Sequence, residues 1–185
     1  MKKNSTDEHE FKGMTSNAIF SNVTPNKYKN RPVSNIKASS KDTYDVASGV
    51  ILSEAAKKPE SQMTPLEKME IVREGVSKKD LEHLKEKAEL DYDKLAKALS
   101  VTRATLINKQ KEKKFGLVLS EKIVGLADIY SYGYEVFENE DRFNQWMFTS
   151  NQALGGKTPY ELIDNQFGRE EVRNVIGRID YGVYS

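Results

Sequence analysis

Cysteine is absent from this chain of 185 residues. Its absence excludes disulfide bonds, a thiolate nucleophile and a cysteine-ligated zinc ion, and it is typical of proteins from a reducing compartment. The two histidines, His9 and His83, stand alone and outside any metal-ligand or catalytic-triad spacing. The sequence also lacks a Walker phosphate loop and a glycine-rich dinucleotide motif. We therefore expect a protein that is not an enzyme and that has no metal ion and no cofactor.

Long apolar runs are absent too. Hydrophobic residues make up 37% of the chain, and no stretch approaches the length of a membrane span or of a signal-peptide core. We therefore expect a cytoplasmic protein that does not bind membranes. The low hydrophobic content also indicates that a sizeable part of the chain lies outside any packed core.

Charge is distributed unevenly, although the formal net charge is only +1. Residues 1–62 carry 10 basic and 7 acidic side chains, residues 63–114 carry 13 and 10, and residues 115–185 carry 6 and 11. The front of the chain is therefore basic and the back is acidic. This asymmetry restricts a nucleic-acid partner to the front, whereas the back suits a cationic protein partner.

Residues 1–62 are rich in Lys, Asn, Ser and Thr, and their apolar residues follow neither a helical nor a strand period. Only the stretch 45–56 has enough apolar residues for a short helix or strand. We predict a flexible N-terminal arm. Two roles for the arm stay open: a disordered leader, or a basic segment that adds contacts to DNA or folds on a partner.

The segment 91–114 has the pattern of two short helices that meet at a tight turn. Asp91 and Thr102 are suitable N-caps, and the small Ala96 lets the second helix approach the first closely. This is the arrangement of a helix-turn-helix, whose second helix enters the DNA major groove. Glycine is the usual turn residue in such motifs, so Ser100 is expected to be modestly strained by a left-handed backbone.

The second helix and the residues after it are locally basic, with five cations against the single acid Glu112. If the two helices form a helix-turn-helix, these basic residues are a DNA-binding site. The alternative is a helical hairpin whose basic face is simply solvated. Because one helix-turn-helix binds weakly, we expect a homodimer that reads two half-sites, with the tyrosine-rich helix 121–137 and the faces of the helix-turn-helix as candidate interfaces. The residues expected to face the groove are Thr102, Arg103, Thr105, Asn108 and Lys109, and those expected at phosphates are Lys111, Lys113 and Lys114.

Further helices are predicted on both sides of this motif. A Thr-Pro-x-Glu pattern, which joins an N-cap, a proline at the first helical position and an acid, occurs twice. Apolar residues spaced three and four apart predict a long helix through Phe137 and a last helix near the end. Trp146, the only tryptophan, is expected to anchor the core. The expected starts of these helices are Thr64, Ser77, Ser120, Thr158 and Arg169.

A set of residues near the end of the chain carries a family resemblance. The set consists of Asn151, Leu154-Gly155-Gly156, Thr158-Pro159, Glu161-Leu162, Gly168, Val172 and the run Arg178-Ile179-Asp180-Tyr181-Gly182-Val183-Tyr184-Ser185. With these residues the chain resembles the Xre/MbcA/ParS-like antitoxins, the partners of RES-domain toxins in bacterial toxin-antitoxin modules. The similarity continues upstream to Thr64 through Arg103-Ala104-Thr105, so it covers about two thirds of the chain.

The resemblance implies an all-α protein with an Xre-like helix-turn-helix domain (63–119) and a small helical toxin-binding domain with a C-terminal tail (120–185). It does not reach residues 1–62, for which the composition predicts the flexible N-terminal arm. The implied partners are operator DNA and a RES-domain toxin, a relative of ADP-ribosyltransferases that depletes NAD. The tail is implied to enter or cover the toxin's active-site cleft. The implied toxin-binding residues are Arg178, Tyr181, Gly182, Val183, Tyr184 and Ser185.

The chemistry of the tail agrees with this role. A cleft built for an anionic dinucleotide offers arginine and aromatic surfaces, which a terminal carboxylate beside Tyr184 can occupy. Gly182 allows the backbone to turn into a narrow entrance. A frayed end is the alternative for the tail, and a free-standing dimeric regulator without a toxin partner is the alternative for the whole chain.

Overall fold

A computed structural model describes residues 49–111 and 113–182, which form eight α-helices and no strand. The predicted all-helical class, a helix-turn-helix domain followed by a helical C-terminal domain, is therefore confirmed. None of these helices is both long and apolar enough to cross a lipid bilayer. The helices are α1 (Pro65–Glu74), α2 (Lys78–Lys87), α3 (Tyr92–Ala98), α4 (Arg103–Ile107), α5 (Leu117–Phe137), α6 (Glu140–Met147), α7 (Pro159–Leu162) and α8 (Gln166–Asp180).

Local capping chemistry sets most of the helix starts. In α1, α2 and α7 the N-cap hydroxyl accepts the backbone N–H of the third helical residue, whose carboxylate accepts the N-cap N–H in return. These capping boxes confirm the starts predicted at Thr64, Ser77 and Thr158. Asp91 and Thr102 cap α3 and α4 as predicted.

The start of α5 differs from the prediction. The helix begins at Leu117 with Gly116 as its N-cap, so Ser120 lies inside the first turn and does not cap. Ser120 is fully buried, and its hydroxyl accepts the Val76 N–H at 3.0 Å and donates to the Phe115 carbonyl at 3.1 Å. The serine is therefore used in a long-range contact between α5 and the α1–α2 connection. The predicted domain boundary at 119/120 falls within this continuous helix.

Helix α5 is the centre of the fold, with α1, α6 and α8 packed around it. Asp128 on α5 accepts from Lys68 of α1 at 2.7 Å and from Arg173 of α8 at 2.9 Å. All three side chains are at most 37% exposed, so this bridge is partly screened from water. The two halves of the chain therefore share one helix and one core.

One aromatic cluster fills the core between α5 and α6. Phe143 lies edge-on to Tyr130, Tyr134 and Phe137 at ring distances of 5.3 to 5.5 Å, and it stacks on Trp146 at 5.6 Å. Trp146 is 1% exposed, which confirms it as a core anchor. Burial raises the pKa of Tyr130 and of Tyr134. Tyr130 and Tyr134 are enclosed within their own chain and so are not available to a dimer interface, whereas Tyr132 of the same helix is only half-buried.

Residues 49–62, which we call the strap, pack against the helices. Ile51 and Leu52 are fully buried, and their N–H groups donate to the buried carboxylate of Glu60 at 2.7 to 3.2 Å. Asp80 of α2 accepts the Glu54 N–H at 2.7 Å. The prediction of a flexible arm is therefore wrong for residues 49–62, because these contacts link residues that are distant in sequence. Residues 1–48 lie outside the described part of the chain.

Candidate functional site

The turn between α3 and α4 has the geometry of a helix-turn-helix. Ser100 has a φ of +52°, which confirms the predicted left-handed strain. The N–H of Ser100 donates to the Lys97 carbonyl at 3.0 Å, and that of Val101 donates to the Ala96 carbonyl at 2.9 Å. Ala96 is buried, so the two helices approach closely at this position, as predicted. Val101 is half-buried and closes the turn.

The second helix of the motif, α4, is only five residues long and projects from the body. Within Arg103–Ile107 only Leu106 is buried, and it holds the helix on the core. The ammonium of Lys78 donates to the Ile107 carbonyl at 2.6 Å and so satisfies the C-terminal end of α4. The exposed residues on and beside this helix include four of the predicted groove-facing set: Thr102, Arg103, Thr105 and Asn108.

Three of the predicted DNA contacts are already engaged at the start of α4. The Thr102 hydroxyl accepts the Thr105 N–H at 3.2 Å and lies 2.8 Å from the Thr105 hydroxyl. Arg103 donates from its NH1 group to the Asp93 carboxylate at 3.1 and 3.5 Å. Both members of this ion pair are more than half exposed. The arginine is therefore held by a partner on α3 that sequence reasoning missed.

The predicted phosphate contacts lie after α4 rather than on it, because the helix ends at Ile107. Lys109, which was predicted to face the groove, is half-buried, and its ammonium lies 5.2 Å from the centre of the Phe115 ring. Among the predicted phosphate contacts, the ammonium of Lys114 lies 3.8 Å from the Glu74 carboxylate. Lys111 and Lys113 are exposed. The structure thus gathers the basic residues in a loop between α4 and α5.

The second candidate site lies at the C-terminal end of α8, where the described residues end at Gly182. This helix begins at Gln166, capped by Asn165, three residues before the predicted start at Arg169. Four apolar side chains of the predicted stripe are buried: Val172, Val175, Ile176 and Ile179.

Three predicted toxin-binding residues are described at this end. Arg178 pairs with Glu171 at 3.3 Å, and Tyr181 is 68% exposed. Gly182 has a φ of +68° and donates its N–H to the Ile179 carbonyl at 3.0 Å, so it ends the helix in a left-handed turn. The other three, Val183, Tyr184 and Ser185, lie outside the described residues.

An open cavity of about 600 Å³ lies beside Tyr181, and sequence reasoning missed four of its six lining residues. The guanidinium of Arg173 lies 4.6 Å from the centre of the Tyr132 ring, and its NH1 group also donates to the Asp128 carboxylate. Tyr132 belongs to a visible run of alternating tyrosines, but only the packing of α8 on α5 brings Arg173 onto its face. Burial is the main cause that raises the pKa of Tyr132. The lining is completed by Asn174, Gly177 and Arg178.

A seam of contacts joins the helix-turn-helix to α7 and the end of α6. Tyr160 donates its hydroxyl to the Lys94 carbonyl of α3 at 3.0 Å, and its ring lies 4.8 Å from that of Phe148. The Ser100 hydroxyl donates to the Asp164 carbonyl at 2.7 Å. The helix-turn-helix is therefore in direct contact with the C-terminal helices that lead to the second candidate site. Within the described ranges no group of three or more acidic or histidine side chains could hold a metal ion.

An all-helical protein with an exposed second helix in a helix-turn-helix belongs to the class of helix-turn-helix proteins. Residues 67–128 match the model of the antitoxin Xre-like helix-turn-helix domain, and residues 133–182 match that of the antitoxin Xre/MbcA/ParS C-terminal toxin-binding domain. The chain belongs to the Xre/MbcA/ParS-like antitoxin family.

Two curated relatives support the assignment. The chain is 32% identical over 73 residues to "Antitoxin Xre" of Photorhabdus laumondii subsp. laumondii, which covers 39% of this chain and 49% of that protein. It is 23% identical over 133 residues to "Prs ADP-ribosylating antitoxin" of a Sphingobium species, which covers 66% of this chain and 83% of that protein. The chain therefore spans about half the length of the first relative and most of the second.

Proposed function

We propose that this chain neutralises a RES-domain, NAD-depleting toxin by placing its C-terminal tail in the toxin's active-site cleft. The observation that carries the proposal is the end of α8, where Tyr181 is exposed and Gly182 adopts a left-handed turn, so that the last two described residues lie at the surface of the protein. The role is that of a binding protein rather than an enzyme, and it is exercised in the cytoplasm.

Two further observations support a toxin-facing role for this end. Arg178 and Tyr181 are exposed at the rim of an open cavity, and arginine and tyrosine are the residue types that dominate binding energy at protein interfaces. The name of the Sphingobium relative refers to ADP-ribosylation, a reaction that consumes NAD. The tyrosine at position 184 can supply an aromatic ring to a cleft that binds a dinucleotide.

Co-expression with a RES-domain toxin tests the proposal. We expect the wild-type chain to restore growth and cellular NAD, and a chain that lacks residues 183–185 to fail at equal expression. Phe167→Ser is the matched control, because Phe167 is an aromatic residue 80% exposed at the other end of α8. Full neutralisation by the truncated chain would refute the tail mechanism. Protection without any effect on NAD would point to another class of toxin.

We further propose that the chain binds operator DNA through α4 and the loop after it, as a homodimer. Leu106 alone is buried in α4, so the polar residues of this helix are available to a major groove. The loop carries Lys111 and Lys113 on its surface, where phosphates could approach them. The chain would thereby repress its own operon. The interface of the homodimer lies away from the buried tyrosine face of α5.

Binding to a randomised duplex library, followed by anisotropy titrations, tests the DNA role. Arg103→Ala should cost about 1 to 3 kcal/mol on the selected duplex and relax its sequence preference. Lys113→Ala should weaken binding to all duplexes alike and flatten the salt dependence. Equal losses from both variants on every duplex would argue against base readout. Light scattering with and without DNA reports the dimer, and a pull-down with the neighbouring RES protein separates an antitoxin from a free-standing regulator.

A further inference from the structure

We infer that Asp93 is a positioning residue that holds Arg103 in the orientation needed to read a guanine, an inference that rests on the proposed DNA binding. Asp93 lies on the first helix of the helix-turn-helix, one residue into α3, and Arg103 begins the second helix. Their side chains meet across the turn at 3.1 Å. The ion pair therefore connects the N-terminal turn of α3 to the first residue of α4.

The geometry leaves the reading face of the guanidinium unused. Only NH1 of Arg103 donates to Asp93, with both carboxylate oxygens within 3.5 Å. The guanidinium has five N–H donors in a planar fork, so NH2 and Nε keep donors for a base edge. Guanine presents the two acceptors O6 and N7 in the major groove, and a bidentate arginine contact is its commonest recognition.

The ion pair contributes little to the stability of the fold, but it restrains the orientation of the Arg103 side chain. Asp93 is 70% exposed and Arg103 58% exposed at their side chains, and such surface pairs contribute little to folding. An unpaired arginine on a five-residue helix would also be free to turn toward the nearest phosphate. Asp93 occupies one edge of the guanidinium, and its negative charge disfavours a phosphate at that edge. The pair thus lowers the non-specific affinity for DNA and raises the preference for one base.

Capping does not explain Asp93. The N-cap of α3 is Asp91, whose carboxylate accepts the Lys94 N–H at 2.7 Å. Asp93 makes no capping bond, and its carboxylate is directed at Arg103 instead. Asp91 therefore provides a matched control, since it carries the same charge in the same turn, is also well exposed at 60%, and is not a partner of Arg103.

The test is selection from a randomised duplex library by the full chain, followed by titration of the selected duplex and of duplexes in which one guanine is replaced. Arg103→Ala first identifies the guanine that this arginine reads. We expect wild type to prefer that guanine by roughly 5- to 150-fold, the range of a good bidentate contact. Asp93→Asn and Asp93→Ala should reduce this preference at least about fivefold, with unchanged thermal denaturation.

Asp91→Asn, which keeps the cap, should raise affinity modestly for all duplexes and leave the guanine preference intact. If the Asp93 variants behave like Asp91→Asn, the carboxylate acts only as a charge and the inference is wrong. A wild-type chain that enriches no duplex overturns the proposed DNA binding as well. A wild-type chain that selects a site in which Arg103→Ala changes no base preference overturns the inference and leaves DNA binding standing.

Discussion

Replacing Glu60 tests whether the strap is an integral part of the fold. Glu60 is fully buried, and its two carboxylate oxygens accept the N–H groups of Ile51 and Leu52 at 2.7 to 3.2 Å. Glu60→Ala leaves both buried donors without this acceptor. Each orphaned donor costs about 1 to 3 kcal/mol, and release of the buried charge offsets part of the total. We expect a net loss of about 2 to 4 kcal/mol, a large part of the stability of a typical domain.

Glu60→Gln separates the hydrogen bonds from the charge. The Oε1 atom of Glu60 lies within 3.2 Å of both N–H groups, so an amide oxygen in its place keeps both bonds. Burial raises the pKa of Glu60, which means that the folded state holds the proton more tightly than the unfolded state. The associated stability is fully present below the ordinary pKa of 4.5 and is lost as pH rises through the raised pKa. Wild type should therefore lose stability relative to Glu60→Gln as the pH rises from 4.5 toward neutrality.

Urea unfolding followed by the fluorescence of Trp146 measures these differences, because this tryptophan is buried in the core. Trypsin provides a second readout, since cleavage after Lys57 requires release of the strap, whereas the Lys58–Pro59 bond resists trypsin. Glu135→Ala is the control: Glu135 is exposed and accepts only the Ser61 hydroxyl at 3.0 Å. A Glu60→Ala protein as stable as this control, and cleaved no faster than wild type, would show that the strap contributes nothing to the fold.

Three more substitutions have clear expected outcomes. Gly133→Ala places a Cβ atom 2.1 Å from a ring carbon of Phe143, so thermal denaturation should show a loss of about 1 to 3 kcal/mol. Ser120→Ala leaves the buried Val76 N–H without its acceptor and should cost about 1 to 3 kcal/mol by urea unfolding, while an unchanged midpoint would contradict the proposed contact. Thr158→Ala removes the cap of α7 and should cost about 1 kcal/mol, which Thr158→Ser should largely restore.

Local chemistry made much of the fold predictable from sequence. The capping boxes at Thr64, Ser77 and Thr158 need only residues three positions apart, and each of them forms. The apolar stripe of α8 and the buried Trp146 likewise follow from spacing and residue size. The left-handed turn at Ser100 was also predictable, because the crossing of two short helices demands it.

Contacts between distant residues explain what the sequence could not predict. Ser120 has the residue type of a cap, but Val76, 44 residues earlier, uses its hydroxyl. The strap has no regular apolar period, and the side chains of Glu60 and Asp80, rather than a helix ladder, accept the N–H groups of Ile51, Leu52 and Glu54. The DNA-binding site was only partly predictable for the same reason, since nothing in the local sequence pattern pairs Asp93 with a residue ten positions later.

The seam also accounts for a serine where the helix-turn-helix usually has glycine. A non-glycine residue in the left-handed region costs about 1 to 3 kcal/mol, which glycine at position 100 would avoid. The Ser100 hydroxyl, however, donates to the Asp164 carbonyl at 2.7 Å, and a hydrogen bond contributes about 0.5 to 1.5 kcal/mol. The bond offsets a large part of the strain and fastens the turn to the segment between α7 and α8. The turn that orients α4 is therefore held in place by the C-terminal half of the chain.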